Sequence, residues 1–248
     1  MSAKGPLLSL ALLATLWAAL SSLASNPLFP TPWAVAAACV QLSADGSLPA
    51  ALGLTALRLV VGYGLAVAVG VPLGLLVARS RPLSALVSPL LLGTSSIPSI
   101  CWLPLSILWF GLSEVAIQSV VVVGALVPVA MATDAAVRHT PDELERAART
   151  MGASGARLLA TVTLPAALPG IVSGAKVGWT FALRALLAAE LLFVSGGLGQ
   201  LLETGRDVGD TRIVLGVVVV LLALSRASEW LLFARLERLV ARRWGVVA

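Results

Sequence analysis

Few residues in this chain are equipped for chemistry. Its 248 residues include 17 Lys and Arg, 12 Asp and Glu, one His and two Cys. His139 stands alone in a charged stretch, where it reads as a solvated side chain. Cys39 and Cys101 belong to no C-x-x-C pair or His/Cys cluster, so a metal or redox centre is not expected, and Cys101 reads as a small apolar packing residue. No Ser/His/Asp set and no paired carboxylates converge. No G-x-x-x-x-G-K-[ST] phosphate loop occurs either: Gly152-Ala153-Ser154-Gly155 lacks the lysine and a preceding strand. What remains is a set of polar groups inside apolar runs. Arg184 and Glu190 lie in one run; Ser95, Ser96, Pro98, Ser99 and Pro104 lie in another. At 100° per residue, six positions set Arg184 and Glu190 about 120° apart on a helix, so each calls for a partner on another helix or a water-filled cavity. Two readings stand. Glu190 lines or gates a polar passage while Arg184 braces it or meets an anion, or both make interhelical structural ion pairs. Proline frees a backbone carbonyl, so a kinked, Ser-rich helix with Trp102 in its wall suits a passage lining; a packed kinked helix is the plainer alternative.

The elements that must hold these groups follow from composition. Apolar residues make up 58% and charged residues 12%, with a mean hydropathy of +0.98. Ordinary soluble domains carry about 25% charge. So little charge cannot furnish a polar shell, which excludes a cytosolic enzyme, a disordered chain and a coiled coil. A bilayer core about 30 Å thick takes about 20 apolar residues per helix. Six stretches qualify: 7–24, 54–78, 83–110, 115–134, 168–194 and 213–236. They are long and continuous, unlike the alternating segments of about 10 residues in a barrel. The fold class is therefore all-α, a polytopic membrane protein with six transmembrane helices in a single domain, 1–248. The first stretch has a rival reading, because Lys4, an apolar run and Ser22-Leu23-Ala24 also describe a secretory signal.

Orientation follows from the cations. With the N-terminus cytoplasmic, the inner side receives Lys4, Arg79, Arg81, Arg138, Arg146, Arg149, Arg157, Arg235, Arg238, Arg242 and Arg243. The outer side receives only Arg206 and Arg212. Both termini are expected in the cytoplasm, and the net charge of +5 is this excess rather than a nucleic-acid surface. Within the spans, Arg58 and Lys176 are expected to snorkel, and Arg226 with Glu229 to pair on one face.

One long charged segment, 138–165, joins the fourth and fifth spans. Thr140, Pro141 and Glu143 form a T-x-x-E capping box for a helix over 141–151. Leu144, Ala147, Ala148 and Met151 share one face, while Glu145, Arg146 and Arg149 lie mostly on the other side. Gly152 breaks this helix, and Ser154 caps a second one over 155–162 that Leu164-Pro165 closes. Most connections are about 4–6 residues long, so roughly thirty here suggest a docking element rather than a plain link.

These residues resemble a family. Arg146-Ala147-Ala148, three residues, Gly152, nine residues and Val162-Thr163-Leu164-Pro165 look like the EAA loop of ATP-binding-cassette importer permeases, with Arg146 where the pattern has Glu and Val162 where it has Ile. Glu143 or Glu145 is placed to take over the carboxylate role. Ile97-Pro98-Ser99-Ile100-Cys101-Trp102-Leu103-Pro104-Leu105, Leu108-Trp109-Phe110-Gly111, Gly70-Val71-Pro72-Leu73-Gly74, Ala188-Ala189-Glu190 and Gly197-Leu198-Gly199 are similar to the nitrate/sulfonate/taurine branch. Ser95-Ser96 departs from the Arg-Pro pair frequent there. The resemblance implies a non-catalytic inner-membrane permease subunit in a dimer, with Glu143, Glu145, Arg146, Ala147, Ala148, Arg149, Gly152, Leu164 and Pro165 meeting a separate ATPase. It implies no cofactor in this chain, ATP and Mg on the partner ATPase, and an extracytoplasmic solute-binding protein delivering a small anion. The alternative is an ATP-independent secondary transporter or channel, which would favour inverted repeats with paired broken helices; no such self-similarity links the two halves.

Overall fold

The computed structural model describes residues 4–24, 28–192 and 196–244. Among them there is no strand. Leu, Ala and Val runs form the long helices: α1 Lys4–Ala24, α3 Ser47–Arg79, α6 Glu114–Arg138, α9 Leu164–Leu192 and α11 Thr211–Ser228. The shorter ones are α2 Pro32–Ala44, α4 Arg81–Ser95, α5 Leu103–Phe110, α7 Asp142–Thr150, α8 Gly155–Leu158, α10 Gly197–Asp207 and α12 Ala234–Trp244. Four continuous helical runs are long and apolar enough to cross a bilayer, and α4 with the segment Ser99–Phe110 makes a fifth, bent span. The 21-residue α1 stands where the sequence places the first of the six expected spans.

The structure departs from the sequence reading in several places. The span over 83–110 is not one helix: α4 and the following segment meet at 102°. Pro98 cannot donate to a helical ladder, and Ser99–Trp102 tightens to a 3₁₀ turn before α5. The segments between expected spans, 25–53 and 194–212, carry helices of their own, α2 and α10. Thr31 caps α2, its hydroxyl accepting from the Ala34 N–H at 3.3 Å ahead of Pro32. Cys101 is exposed rather than packed.

The chain divides into two compact units, Met1–Thr55 with Glu190–Ala223, and Ala56–Ala189 with Leu224–Ala248. In the second unit α6 is the central helix, with Ile117, Val120, Val121, Ala125 and Ala130 all inaccessible. Two glycine rows let neighbours approach it. On α3, a β-carbon at Gly62 would fall 2.6 Å from Gln118 and one at Gly70 3.0 Å from the Leu126 carbonyl. On α9, one at Gly170 would fall 2.7 Å from Ala136, and Gly174 and Gly178 press on Ala132 and Val129. Small residues four apart permit this backbone proximity in a bilayer, where dispersion and close packing replace the hydrophobic effect. Tyr63, Trp179 and Phe233 complete this core edge to face, with Tyr63 and Trp179 centroids 5.0 Å apart. Their polar tips are satisfied: the Tyr63 hydroxyl donates to the Ala175 carbonyl at 2.7 Å and Trp179 Nε1 to Ser228 Oγ at 2.9 Å.

Candidate functional site

Three places gather the chemistry. The first is the break between α4 and α5. It opens a cavity of about 540 Å³ in the second unit, lined by Thr94, Ser95, Pro98, Ser99 and Trp102 from the break, Gly124, Pro128 and Met131 from α6, and Phe181 and Arg184 from α9. The break exists because the prolines cannot continue the helix and because serine hydroxyls re-satisfy carbonyls that it frees. Ser95 and Ser96 both donate back to the Leu92 carbonyl, at 2.7 and 3.2 Å. Gly124 lets the broken segment and α9 close in, since a β-carbon there would lie 2.9 Å from Ala185 and 3.2 Å from Ser99. Arg184 is exposed, with its guanidinium 5.9 Å from the Phe181 ring centroid. Among the described residues no carboxylate pairs with it. Of the passage residues expected from sequence, Ser95, Pro98, Ser99, Trp102 and Arg184 come together here. Ser96 and Glu190 do not line the cavity.

Glu190 belongs to the second place, in the first unit, and is 1% exposed. Thr55 Oγ1 donates to its two oxygens at 3.0 and 2.9 Å, and the Gly199 N–H donates at 3.0 Å. The Leu198 N–H in turn donates to Thr55 Oγ1 at 2.8 Å. The carboxylate thus caps the N-terminus of α10 from another helix, meeting both the orphan N–H groups and the positive end of the dipole. Gly197, at φ +91°, and Gly199 carry no side chain because the Glu190 carboxylate and backbone fill that space. Gly197-Leu198-Gly199 following Glu190 is the sequence signal for this cradle.

The third place is the loop. α7 runs over Asp142–Thr150 without the expected capping box: no side chain caps it, and Thr140 Oγ1 instead bonds back to the Ala136 carbonyl at 3.4 Å. Pro141, in an extended conformation, starts the helix, and three acidic residues in its first turn suit the dipole. Gly152 ends it as expected, at φ +86°, with Gly152 N–H to the Arg149 carbonyl and Ala153 N–H to the Ala148 carbonyl, both 3.0 Å. Leu164-Pro165 does not close the second helix. α8 passes through a π turn over Leu159–Thr163 straight into α9, so that Leu164 packs beside Val137, Ala167 and Ile171. The π turn aims the fully buried Thr163 at two charges. Arg79 Nη2 donates to its hydroxyl at 2.6 Å, the hydroxyl donates to Glu145 Oε1 at 2.7 Å, and Glu145 also pairs with Arg79 at 3.4 Å and Arg149 at 3.2 Å. Glu145 therefore turns inward. Ala148 is buried, whereas Asp142, Glu143, Leu144, Arg146, Ala147 and Met151 face outward, Met151 being 83% exposed. Arg146 pairs only loosely with Asp142, at 3.8 Å between two exposed side chains.

Ion pairs account for the other charges in spans. Arg58 does not snorkel: it is buried and pairs with Glu114, whose Oε2 accepts from Arg58 Nε at 2.8 Å. Lys176 pairs with Glu229 at 2.8 Å and Glu237 at 3.7 Å, and the expected Arg226–Glu229 pair forms at 2.8 Å. Partners 56 or 53 residues apart leave no periodic signal in a sequence.

The profile of the binding-protein-dependent transport system inner membrane components matches residues 70–243. The chain belongs to this family. It is 30% identical to the taurine transport system permease protein TauC of Escherichia coli strain K12, over 93% of this chain and 86% of TauC. It is 34% identical to the ABC transporter permease protein MJ0413 of Methanocaldococcus jannaschii, over 66% of this chain and 62% of that one. Its fold matches a subunit of the MetNI methionine ABC transporter in an inward-facing conformation, with a TM-score of 0.69 at 25% identity over 78% of this chain and 96% of that chain. The permease is thus a non-catalytic membrane subunit, and ATP hydrolysis falls to a separate ATPase chain. An ATP-independent channel is not favoured.

Proposed function

We propose that this permease imports a small anion of the nitrate, sulfonate or taurine type, and that Arg184 meets it at the α4–α5 break. The observation that carries the reading is a guanidinium with no carboxylate partner among the described residues, in a cavity of about 540 Å³ that also presents Ser95, Ser99 and Trp102. Guanidinium is weakly hydrated and offers a planar fork for oxyanions. The taurine relative supports the same class. Two copies of the permease form the pathway, both termini lie in the cytoplasm, and a solute-binding protein delivers to the opposite face. The outward side of α7, with Arg146, Leu144, Ala147 and Met151, seats on the ATPase, which holds ATP and Mg. Glu145, Gly152, Leu164 and Pro165 hold the loop in shape, and Arg146 makes the charged contact that a carboxylate makes elsewhere in the family.

Arg184→Gln tests the pathway. In proteoliposomes containing the ATPase and the binding protein, uptake should fall at least about tenfold, the factor that ~1.4 kcal/mol of lost interaction produces, while the melting temperature stays within about 2 °C. Uptake at the wild-type rate would refute the assignment. Thermal shifts of the binding protein with nitrate, alkanesulfonates and taurine then select the solute.

A further inference from the structure

Nine of the chain's 17 cations meet a carboxylate among the described residues. Arg58, Arg79, Arg138, Arg146, Arg149, Lys176, Arg206, Arg212 and Arg226 all sit within ion-pair distance of a carboxylate. The last helix gathers three cations that lack such a partner among the described residues. Arg235, Arg238 and Arg242 follow one another at three and four residues, which at 100° per residue sets all three within about 60° on α12. They flank a groove of about 270 Å³ with Leu239 between them. All three are exposed, and none has a carboxylate within ion-pair distance among the described residues. Arg238 Nε bonds the Ala234 carbonyl at 2.8 Å, which fixes its stem along the helix. Glu237, the acidic residue of this helix, lies on the opposite side and is engaged by Lys176.

The helix that ends in α12 is continuous over Thr211–Arg242, 32 residues. At about 1.5 Å per residue it is roughly 48 Å long, well over the ~30 Å hydrocarbon core. Its last turns therefore emerge into the headgroup layer, with Leu236 and Leu239 still exposed beside the arginines. Three guanidiniums around an apolar foot, at headgroup depth and without an internal counterion, match one ligand chemistry: a phosphodiester attached to acyl chains.

We propose that α12 binds the headgroup of an anionic phospholipid, with Arg235, Arg238 and Arg242 on the phosphate and Leu239 against the acyl chain. The site is independent of the transport pathway. Guanidinium forks suit phosphate oxygens bidentately, and each cation near an anionic membrane surface is worth roughly a fivefold change in partition.

The test uses the full permease with its ATPase in nanodiscs of phosphatidylcholine, with or without phosphatidylglycerol, and native mass spectrometry to count retained lipid. The wild type should retain phosphatidylglycerol over phosphatidylcholine, and the triple variant R235Q/R238Q/R242Q should lose that preference by on the order of a hundredfold. The triple Lys variant keeps the charge and should retain most of it. If the triple Gln variant does not fold, R238Q alone should lose roughly fivefold. Undiminished preference in the Gln variants overturns the proposal. So does protection by inorganic phosphate equal to that by phosphatidylglycerol, which would make this a free-anion site. Loss of ATPase co-purification with lipid retention unchanged would make the face a protein interface, and also overturns it.

Discussion

Arg184 and Glu190 stand six residues apart on α9 and look alike in the sequence: single charges in an apolar run. Their surroundings are opposites. Arg184 is exposed at a cavity with serines and an aromatic ring about it and no carboxylate partner among the described residues. Glu190 is sealed, 1% exposed, and held by a threonine hydroxyl and a glycine N–H. An isolated charge in low dielectric is tolerated only when its hydrogen bonds are met. For Glu190 the protein helps to meet them with the Thr55 hydroxyl and the Gly199 N–H. For Arg184 no carboxylate among the described residues does so, and the proposed function gives that place to the imported anion. The difference lies in what surrounds each charge, and a charge in an apolar run by itself points to neither role.

The largest effect that can break this contrast is expected at Glu190. Truncation to Ala leaves the Thr55 hydroxyl and the Gly199 N–H without their acceptor. Each bare buried donor costs about 1–3 kcal/mol, so the pair together costs roughly 2–6 kcal/mol, a fall in melting temperature of about 5–20 °C for a chain of this size. Glu190→Gln keeps one acceptor oxygen but turns an amide donor toward other donors, and should fall between the two. The distinguishing measurement is uptake per folded molecule, which should stay within about twofold in Glu190→Gln. A wild-type melt with uptake down tenfold would put Glu190 on the pathway beside Arg184 and remove the distinction.

A smaller effect is expected where a carboxylate is half-buried and shared. Glu145 is tied to Thr163, Arg79 and Arg149, which links α7 to the cytoplasmic end expected for α3 and to the π turn that leads into α9. Glu145→Gln preserves size and one acceptor but loses the ion pairs. We expect assembly with the ATPase to persist, while stimulation of ATPase activity by the loaded binding protein drops several-fold, about 1 kcal/mol of coupling. Lost assembly would instead make Glu145 a direct docking contact. Unchanged stimulation would show that the clamp carries no signal.

Much of this was legible in the sequence. Hydropathy marked α3, α6, α9 and α11 because length and apolarity are local properties. Gly152 announced the end of α7 because a single residue supplies the left-handed turn. The i, i+3 pair Arg226–Glu229 was visible because helix geometry alone places it. The features that escaped all depend on distant chain. The 102° bend needs packing against α6 to decide how far the prolines at 98 and 104 divert the helix. The inward turn of Glu145 depends on Arg79, 66 positions away in sequence. Thr140 lost its capping role because the Ala136 carbonyl at the end of α6 competes for its hydroxyl. The glycine rows 62, 70, 74 and 170, 174, 178 were readable at spacings of four and eight residues, and they mark close approaches to α6.

The smallest effect comes from placing the same acid–guanidinium chemistry in water. Asp210 caps α11: its Oδ1 accepts from the Arg212 N–H at 2.9 Å, and its two oxygens accept from the Arg212 guanidinium at 2.9 and 2.7 Å. The hydrogen bond from the Arg212 side chain, with the backbone bond and the charge attraction behind it, holds the Asp210 carboxyl below the ordinary carboxylate range. A lowered value in the folded state means that the stabilisation is complete above the unfolded value near 3.9 and is lost as pH falls through the lowered one. Arg212 is exposed and Asp210 partly so, so water screens the pair, and the contribution is at most the ~1 kcal/mol of a helix cap. Asp210→Asn should lower the melting temperature by about 2 °C or less at neutral pH. It should also flatten the acid side of the melting profile below about pH 4, where the unfolded carboxylate titrates. An Asn variant that loses as much as Glu190→Ala would mean that exposure does not set the worth of these charges. The contrast between Arg184 and Glu190 would then need a cause other than what surrounds them.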